Sequence, residues 1–487
     1  MEDESTLGSE LKEVQKLVHS EAEADPEEAK RLKRRELDDA IYAALLSRAH
    51  SDQARSLVDT IVTMVAAHEL AAGIRTNKRD KKHTALRTAV ERLLADLLEA
   101  QASEKAKGYV YRTARPKDFT GHRVSYRSFR SLVDAMGSLG LLERYTGFQK
   151  WDALFGKVVP TRRKATRYQA TQRLLDICEH HGIQAADFHQ HFLVPLPDKP
   201  LQLRAGSRRT EYGTKISGRP MSFRPTQLTV KLENNIKRLN EFFDDFELEG
   251  GVHRGYIRVF NKGDDPRFNW NMGGRLYSHT ERSYQQMDRS DRLRMKISGT
   301  PVCEIDIRAS YLTIFHALYG KPFDPKNDPY DLPDLGPEGR EVVKMWITAS
   351  FGSNAPINRW PTELVAKYRE RTGRKLGKRY SAAKIGELIV QSIPLLAKLG
   401  EHKTRIGWAE LMYLESRAMV ATMLELMDDH IPSLAVHDSI IVPALKEQRA
   451  RSVLTDCYRK ITTATPFLVS HFPEGYSDEA WNAALNL

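Results

Sequence analysis

The run PSLAVHDSIIVPA, Pro432 to Ala444, restricts the fold of this chain more than any other stretch. Two apolar, strand-forming segments flank His437-Asp438-Ser439, and so short a break between strands predicts a β-hairpin with Asp438 at its bend. A second stretch, TPVCEIDIRASYLTIFHALYG, begins as an apolar strand over residues 302–307 and takes helical spacing from Ser310. Asp306 therefore falls at a strand-to-helix junction, where a carboxylate can point into a cleft. Between them lies REVVKMWITASFGS, in which Arg340, Lys344, Thr348 and Phe351 are four, four and three residues apart and share one helical face. Singly these are ordinary signals: an Asp after a strand commonly caps a helix, R-x-x-x-K commonly faces water, and His-Asp is common in turns. Their order along one chain is the informative feature.

With 487 residues, the chain is long enough for two to four domains. Its 41% hydrophobic and 29% charged residues exclude a fibrous protein. Neither a bilayer span nor a basic signal-peptide start is evident, since the chain opens MEDESTLGSE, so a cytoplasmic location without membrane partners is expected. Cys178, Cys303 and Cys457 fit neither a disulfide framework nor a zinc pair and are expected to be reduced, structural thiols. The net charge of +11 divides unevenly. Residues 1–29 hold ten acids against Lys12 and Lys16, a net of −8, leaving +19 on the rest. Such a body suits a polyanionic partner.

Five regions are expected. Residues 1–29 form an acidic, disordered leader. Residues 30–105, including KRLKRRELDDAIYAALLSRAH, the run Leu57 to Leu70 and a segment from Thr84, have helical spacing and form a helical module, for which solvated charge on a packing unit is the plain explanation. In residues 106–194, a polar helix start at Ser125, a helix through Met136, a glycine turn, a strand at Leu141 and Leu142 and a basic hairpin over Thr161 to Arg167 resemble winged helix-turn-helix DNA-binding domains. That resemblance implies Arg123, Arg127 and Arg130 near one helix, and Arg162, Arg163, Lys164 and Arg167 on a wing beside a phosphate backbone; a winged helix used for protein contacts is the alternative. Residues 195–299 read as a basic linker followed by a thumb-like, template-holding region, with Arg204, Arg208, Arg209, Lys215, Arg219 and Arg224 interleaved by Tyr212 and Phe223. Residues 300–487 carry the three motifs.

In that order the motifs resemble motifs A, B and C of the superfamily of family A DNA polymerases and single-subunit bacteriophage and mitochondrial RNA polymerases. Asp306 matches the motif A aspartate, Arg340 and Lys344 the motif B cations, and His437-Asp438 the motif C pair. Upstream, Asn271-Met-Gly-Gly274-Arg275-Leu-Tyr277 resembles the D-x-x-G-R-x-Y element that holds the template hybrid, with Asn271 in place of Asp. The resemblance implies an α+β fold: a right-hand palm, fingers and thumb core with an antiparallel palm sheet, preceded by the helical and winged-helix-like modules. It implies two Mg²⁺ ions, with Mn²⁺ as the alternative, held by Asp306, Asp438 and the Ile307 backbone carbonyl. Arg340 and Lys344 would neutralise the triphosphate, Phe351 would stack near the incoming base or sugar, and Gly274, Arg275, Tyr277 and His437 would lie on the nucleic acid.

Two departures bear on sugar choice. Five residues after the motif A aspartate, family A DNA polymerases carry Glu and the RNA polymerases Gly; here the residue is Tyr311, which should collide with a ribose 2′-hydroxyl. The RNA-polymerase motif B tyrosine corresponds to Phe351. A third departure concerns spacing: Lys344 to Phe351-Gly352 matches the K-x-x-x-N-S-x-Y-G form of family B, with Thr348 and Ala349 replacing Asn-Ser. The expectation is a DNA polymerase extending a primer on a DNA template with deoxynucleoside triphosphates, without a proofreading exonuclease. An RNA template is the variant case. Alternatives are a primase-like or single-subunit RNA polymerase of the same fold and, from another class, a non-catalytic DNA-binding replication initiator or regulator.

Overall fold

The computed structural model describes residues 36–74, 80–113, 115–119, 122–154, 157–209, 215–280, 283–332, 335–336, 338–401 and 406–477. The acidic leader, Glu211 and Tyr212 lie outside them. The chain forms two compact units, residues 1–195 and 196–487.

In the first unit, β1 (Ile41–Tyr42) runs parallel to β3 (Tyr109–Arg112), β3 antiparallel to β7 (Thr166–Ala170), and β7 antiparallel to β4 (Leu142–Tyr145). A separate pair joins β2 (Arg48–Ala49) to β8 (Phe192–Leu193). Helices α1 (Asp52–Ala71), α2 (Asp80–Ala102) and α3 (Tyr126–Ser138) bury Leu57, Ile61, Val90, Leu94, Phe129, Leu132 and Met136 in one core. Ser51 and Ser125 start α1 and α3 by accepting the N–H of Ala54 and Ser128 on their hydroxyls. β5 (Phe148–Leu154) and β6 (Lys157–Lys164) form a long hairpin between β4 and β7, and α4 (Gln172–His180) follows.

The helical periodicity expected over residues 41–49 is not realised: they hold β1 and β2 instead. Buried side chains claim the backbone there. Asp96 accepts the Leu45 N–H at 2.8 Å, Arg92 donates to the Leu45 and Leu46 carbonyls at 2.7 and 3.0 Å, and Arg112 donates to the Ala43 carbonyl. Buried groups so paired leave no need for a helical ladder.

In the second unit, the expected basic linker is instead part of the fold. β9 (Leu201–Arg204) lies parallel to β14 (Tyr256–Phe260) and antiparallel to β12 (Pro220–Met221), while β14 pairs with β15 (Gly273–Ser278). A short pair, β10 (Arg208–Arg209) and β11 (Lys215–Ile216), stands beside them. α5 (Gln227–Asp244) starts with a Thr226–Thr229 capping box and buries Ile236, Leu239 and Phe243 in the main core.

The larger sheet is built on β17 (Thr300–Ile307). It pairs antiparallel with β16 (Lys296–Ile297), with β19 (Ser439–Pro443) and with β20 (Leu468–His471); β18 (Leu434–Val436) continues beyond β19, and β13 (Leu248–Glu249) beyond β16. Val302, Cys303, Ile305 and Ile307 are buried, as a strand covered on both faces requires. A short helix, α6 (Arg289–Arg292), precedes β16, and around this sheet pack α7 (Ser310–Leu318), α8 (Gly339–Ser353), α9 (Thr362–Thr372), α10 (Ala382–Ser392), α11 (Trp408–Asp428) and α12 (Glu447–Thr462). Trp346 anchors α8, its indole N–H donating to the Ile357 and Ala382 carbonyls at 2.9 Å each. Among the described residues, no helix is long and apolar enough to cross a membrane.

Candidate active site

The β18–β19 hairpin closes through His437 and Asp438, with Val436 opposite Ser439. His437 takes a left-handed φ of 54°, the backbone sign that two-residue hairpins demand. On the neighbouring strand Asp306 faces Ser439, and the Ile307 N–H donates to the Asp438 carbonyl at 3.2 Å. Two aspartates 132 residues apart in sequence thus come to adjacent positions at one end of the sheet. β17 ends abruptly there because Ala309 adopts φ 52°, turning the chain into α7. Burial, followed by the Asp438 charge, raises the Asp306 carboxyl to about 6, against the opposing pull of Arg289 and Lys344.

Along α8, Arg340, Lys344 and Thr348 are exposed. Phe351 lies on the same stripe, one end of which is covered by α7: it is 2% exposed, with its ring edge-on to Tyr311 at 6.0 Å and to Phe315 at 5.4 Å. The expected stacking ring is therefore a buttress behind Tyr311. Arg340 donates to Asp328 at 2.7 Å, and both Arg340 and Lys344 stand over the ring of Tyr330, at 5.8 and 6.0 Å from its centroid.

Gly273 and Gly274 open β15 at φ 83° and 82°. A Cβ at Gly273 would meet the Asn261 side chain at 2.5 Å, and one at Gly274 would press on the Phe260 ring and Ser416 hydroxyl at 3.1–3.2 Å, so neither position admits a larger residue without strain. The pair brings Arg275 to Glu415 of α11, with Nη2 to Oε1 at 2.5 Å and side-chain exposures of 18% and 1%. Burial disfavours the charge on Arg275, but Glu415 outweighs that effect and stabilises the guanidinium cation. Arg275 also stands 5.7 Å from the centre of the Tyr311 ring, and Tyr277 and Asp438 lie in the same electrostatic neighbourhood. His437 is exposed at the hairpin tip, with its imidazole held below the ordinary value by the surrounding protein and then by Arg275.

Four functional candidates escaped the sequence reading: Glu304, Arg289, Arg292 and Tyr330. Glu304 lies two residues before Asp306, on the same face of β17. Arg292 grips its carboxylate through two bonds of 2.8 and 2.9 Å, and Ser439 adds a third at 3.0 Å. Arg289 bridges onward, 3.4 Å from Glu304, 3.8 Å from Asp306 and 3.0 Å from the His471 ring. The acid in VCEIDI was the available signal: an acid inside an apolar strand needs a cation.

In the first unit, Arg127 is exposed on α3. Arg162 and Arg163 belong to β6, and their side chains lie outside the described set. Arg167 does not stand on a wing. It is 9% exposed, donates to the Leu37 and Ala165 carbonyls, and lies 3.7 Å from Asp38, which also pairs with Lys164. Arg167 binds the chain's own backbone and acid because β7 is an inner strand of its sheet, while Lys164, at the end of β6, pairs with the same acid.

The donor set for a hard cation consists of two adjacent carboxylates. Among the described residues, no cluster of three or more His, Cys, Asp or Glu forms a protein cage. Two carboxylates that repel one another fit Mg²⁺, which commonly takes one or two carboxylates and completes its shell with water and substrate phosphates. No protein-family model matches the chain, and no curated protein matches it. Among solved structures it is similar to the POL domain of Pol1 from M. smegmatis, in complex with DNA primer-template and dNTP, at 14% identity and a TM-score of 0.24. The alignment covers 50% of this chain and 51% of that one, so this chain spans about half the length of that structure.

Proposed function

We propose that the chain is a template-directed nucleotidyltransferase, a DNA polymerase that extends a primer with deoxynucleoside triphosphates. One observation carries it: Asp306 and Asp438 sit side by side at the end of an antiparallel sheet, within electrostatic reach of the cationic face of α8. In this reading the sheet around β17 is the palm and α8 the fingers helix. The primer 3′-hydroxyl gives its proton to water as its oxygen attacks the α-phosphate; a new O–P bond forms, the bond to the bridging oxygen breaks, and pyrophosphate leaves. Asp306 and Asp438, with the Ile307 carbonyl as a further donor, would hold Mg²⁺, which would supply Lewis-acid stabilisation of the charge that develops in this step.

The chain's own groups do the rest. Lys344 and, once released from Asp328, Arg340 balance the triphosphate charge. Tyr311 forms the floor under the sugar, held by the Phe351 edge and the Arg275 guanidinium, and its rigidity makes it a barrier to a 2′-hydroxyl. Arg275, fixed by Glu415, presents its remaining exposed edge to the primer–template, with Tyr277 and His437 beside it. The exposed Arg127 face of the first unit suits a duplex backbone.

Extension of a labelled primer on DNA and RNA templates, with dNTPs or rNTPs and Mg²⁺ or Mn²⁺, tests the proposal. Asp306→Ala and Asp438→Ala are each expected to lose about 10³-fold or more of the rate. Unchanged synthesis by either variant overturns the site, selective use of rNTPs overturns the Tyr311 barrier, and no synthesis in any condition favours a DNA-binding regulator.

A further inference from the structure

The aromatic expected against the nucleotide, Phe351, is buried; the ring that does meet both α8 cations is Tyr330. It belongs to the connection between α7 and α8, in which two tight turns shape residues 324–330. Asp324 accepts the Lys326 N–H at 3.0 Å, and Asp328 accepts the Tyr330 N–H at 3.0 Å. Two further bonds hold this loop in place: Arg308 donates to the Lys326 carbonyl at 2.9 Å, and Arg340 donates to the other oxygen of Asp328. Tyr330 is half-buried, with Arg340 and Lys344 over its ring and the Asp438 charge acting on its hydroxyl. Burial and that charge keep the phenol protonated, so it is a donor at any working pH. A hydroxyl donor on a ring beside two cations and within electrostatic reach of Asp438 has a natural acceptor in a phosphate oxygen.

We propose that Tyr330 is the aromatic residue that contacts the incoming nucleoside triphosphate, its hydroxyl donating to a phosphate oxygen between Lys344 and the Asp306–Asp438 pair. The assignment rests on the nucleotide-transfer function proposed above. Asp328 has a linked part: it positions Tyr330 through the turn and holds Arg340 until the triphosphate competes for that guanidinium.

Binding of a non-hydrolysable α,β-imido deoxynucleoside triphosphate, with Mg²⁺ and primer–template, is measured by calorimetry for the full-length wild type, Tyr330→Phe and Tyr330→Ala, alongside steady-state extension. Tyr330→Phe keeps the ring and loses only the hydroxyl. It is expected to weaken triphosphate affinity and raise KM about five- to tenfold, with primer–template affinity close to wild type. Tyr330→Ala should weaken binding further. A purely structural tyrosine would give a wild-type KM in Tyr330→Phe, and equal triphosphate affinity in all three proteins overturns the proposal. Wild-type protein that binds the analogue in a Tyr330-dependent way but never extends a primer overturns the polymerase function and leaves the Tyr330 contact standing. Extension with no Tyr330→Phe effect overturns the contact alone.

Discussion

Asp306 shows how a side chain proposed for catalysis can cost the fold that carries it. Its carboxyl is raised to about 6 by burial and by Asp438. A folded-state value above the unfolded one means that its favourable contribution is complete below the unfolded value near 4 and is lost as pH rises through 6. Above pH 6 the ionised group therefore destabilises the protein. Asp306→Asn is expected to abolish synthesis and yet, in EDTA at pH 8, to raise stability by roughly 2 kcal/mol, read as a shifted denaturant midpoint at unchanged slope. An Asn variant no more stable than wild type at pH 8 would refute the electrostatic account. At this scale the aspartates, the α8 cations and the glycines before Arg275 were legible in the sequence, because each sits in a short local pattern. Tyr330, Arg289 and Arg292 were not. Their meaning comes from partners 10 to 182 residues away, such as Arg340 for Tyr330 and His471 for Arg289.

Among the elements, strands with continuous apolar runs, and helices marked by a capping residue or by regular helical spacing, formed where the pattern predicted them: β17, the β18–β19 hairpin, α3 and α8. The failure at residues 41–49 has a definite cause in Asp96 and the two arginines that take up that backbone. Asp96 is fully buried and its carboxyl is raised to about 8 by desolvation, against the lowering effect of the Leu45 N–H. Its stabilising contribution is complete below the unfolded value near 4 and declines as pH rises to 8. The full-length protein should accordingly lose stability across that window, at up to about 1.4 kcal/mol per pH unit from this group. Asp96→Asn, whose amide oxygen can still accept from Leu45, should flatten the decline. Thermal unfolding at pH 5, 6.5 and 8 checks it: parallel curves for the two proteins would show that Asp96 is not the source.

For the molecule as a whole, a body charge of +19 is consistent with binding a polyanion, but the structure distinguishes cations by what already holds them. Arg127 is exposed, whereas Arg167 is committed to Leu37, Ala165 and Asp38. Arg127→Ala is expected to reduce the slope of log K against log salt for duplex DNA by about 1. Arg167→Ala should lower stability, with little change in that slope for the folded fraction. Equal slopes for wild type and Arg127→Ala would remove α3 from the DNA contact. Neither distinction was available from the sequence, where both arginines are simply basic.

β17 has a temporal consequence as well. Its long edges are claimed by β19 and by β20, and β20 comes from residues 468–471. Such pairings between distant segments have high contact order and form slowly, after local helices. During synthesis the first unit can close on itself while the carboxylate pair still lacks one member. Under the proposed function, competence would therefore arrive late, after the β18–β19 hairpin and β20 dock on β17, and a chain cut before Asp438 would hold nucleic acid without extending a primer.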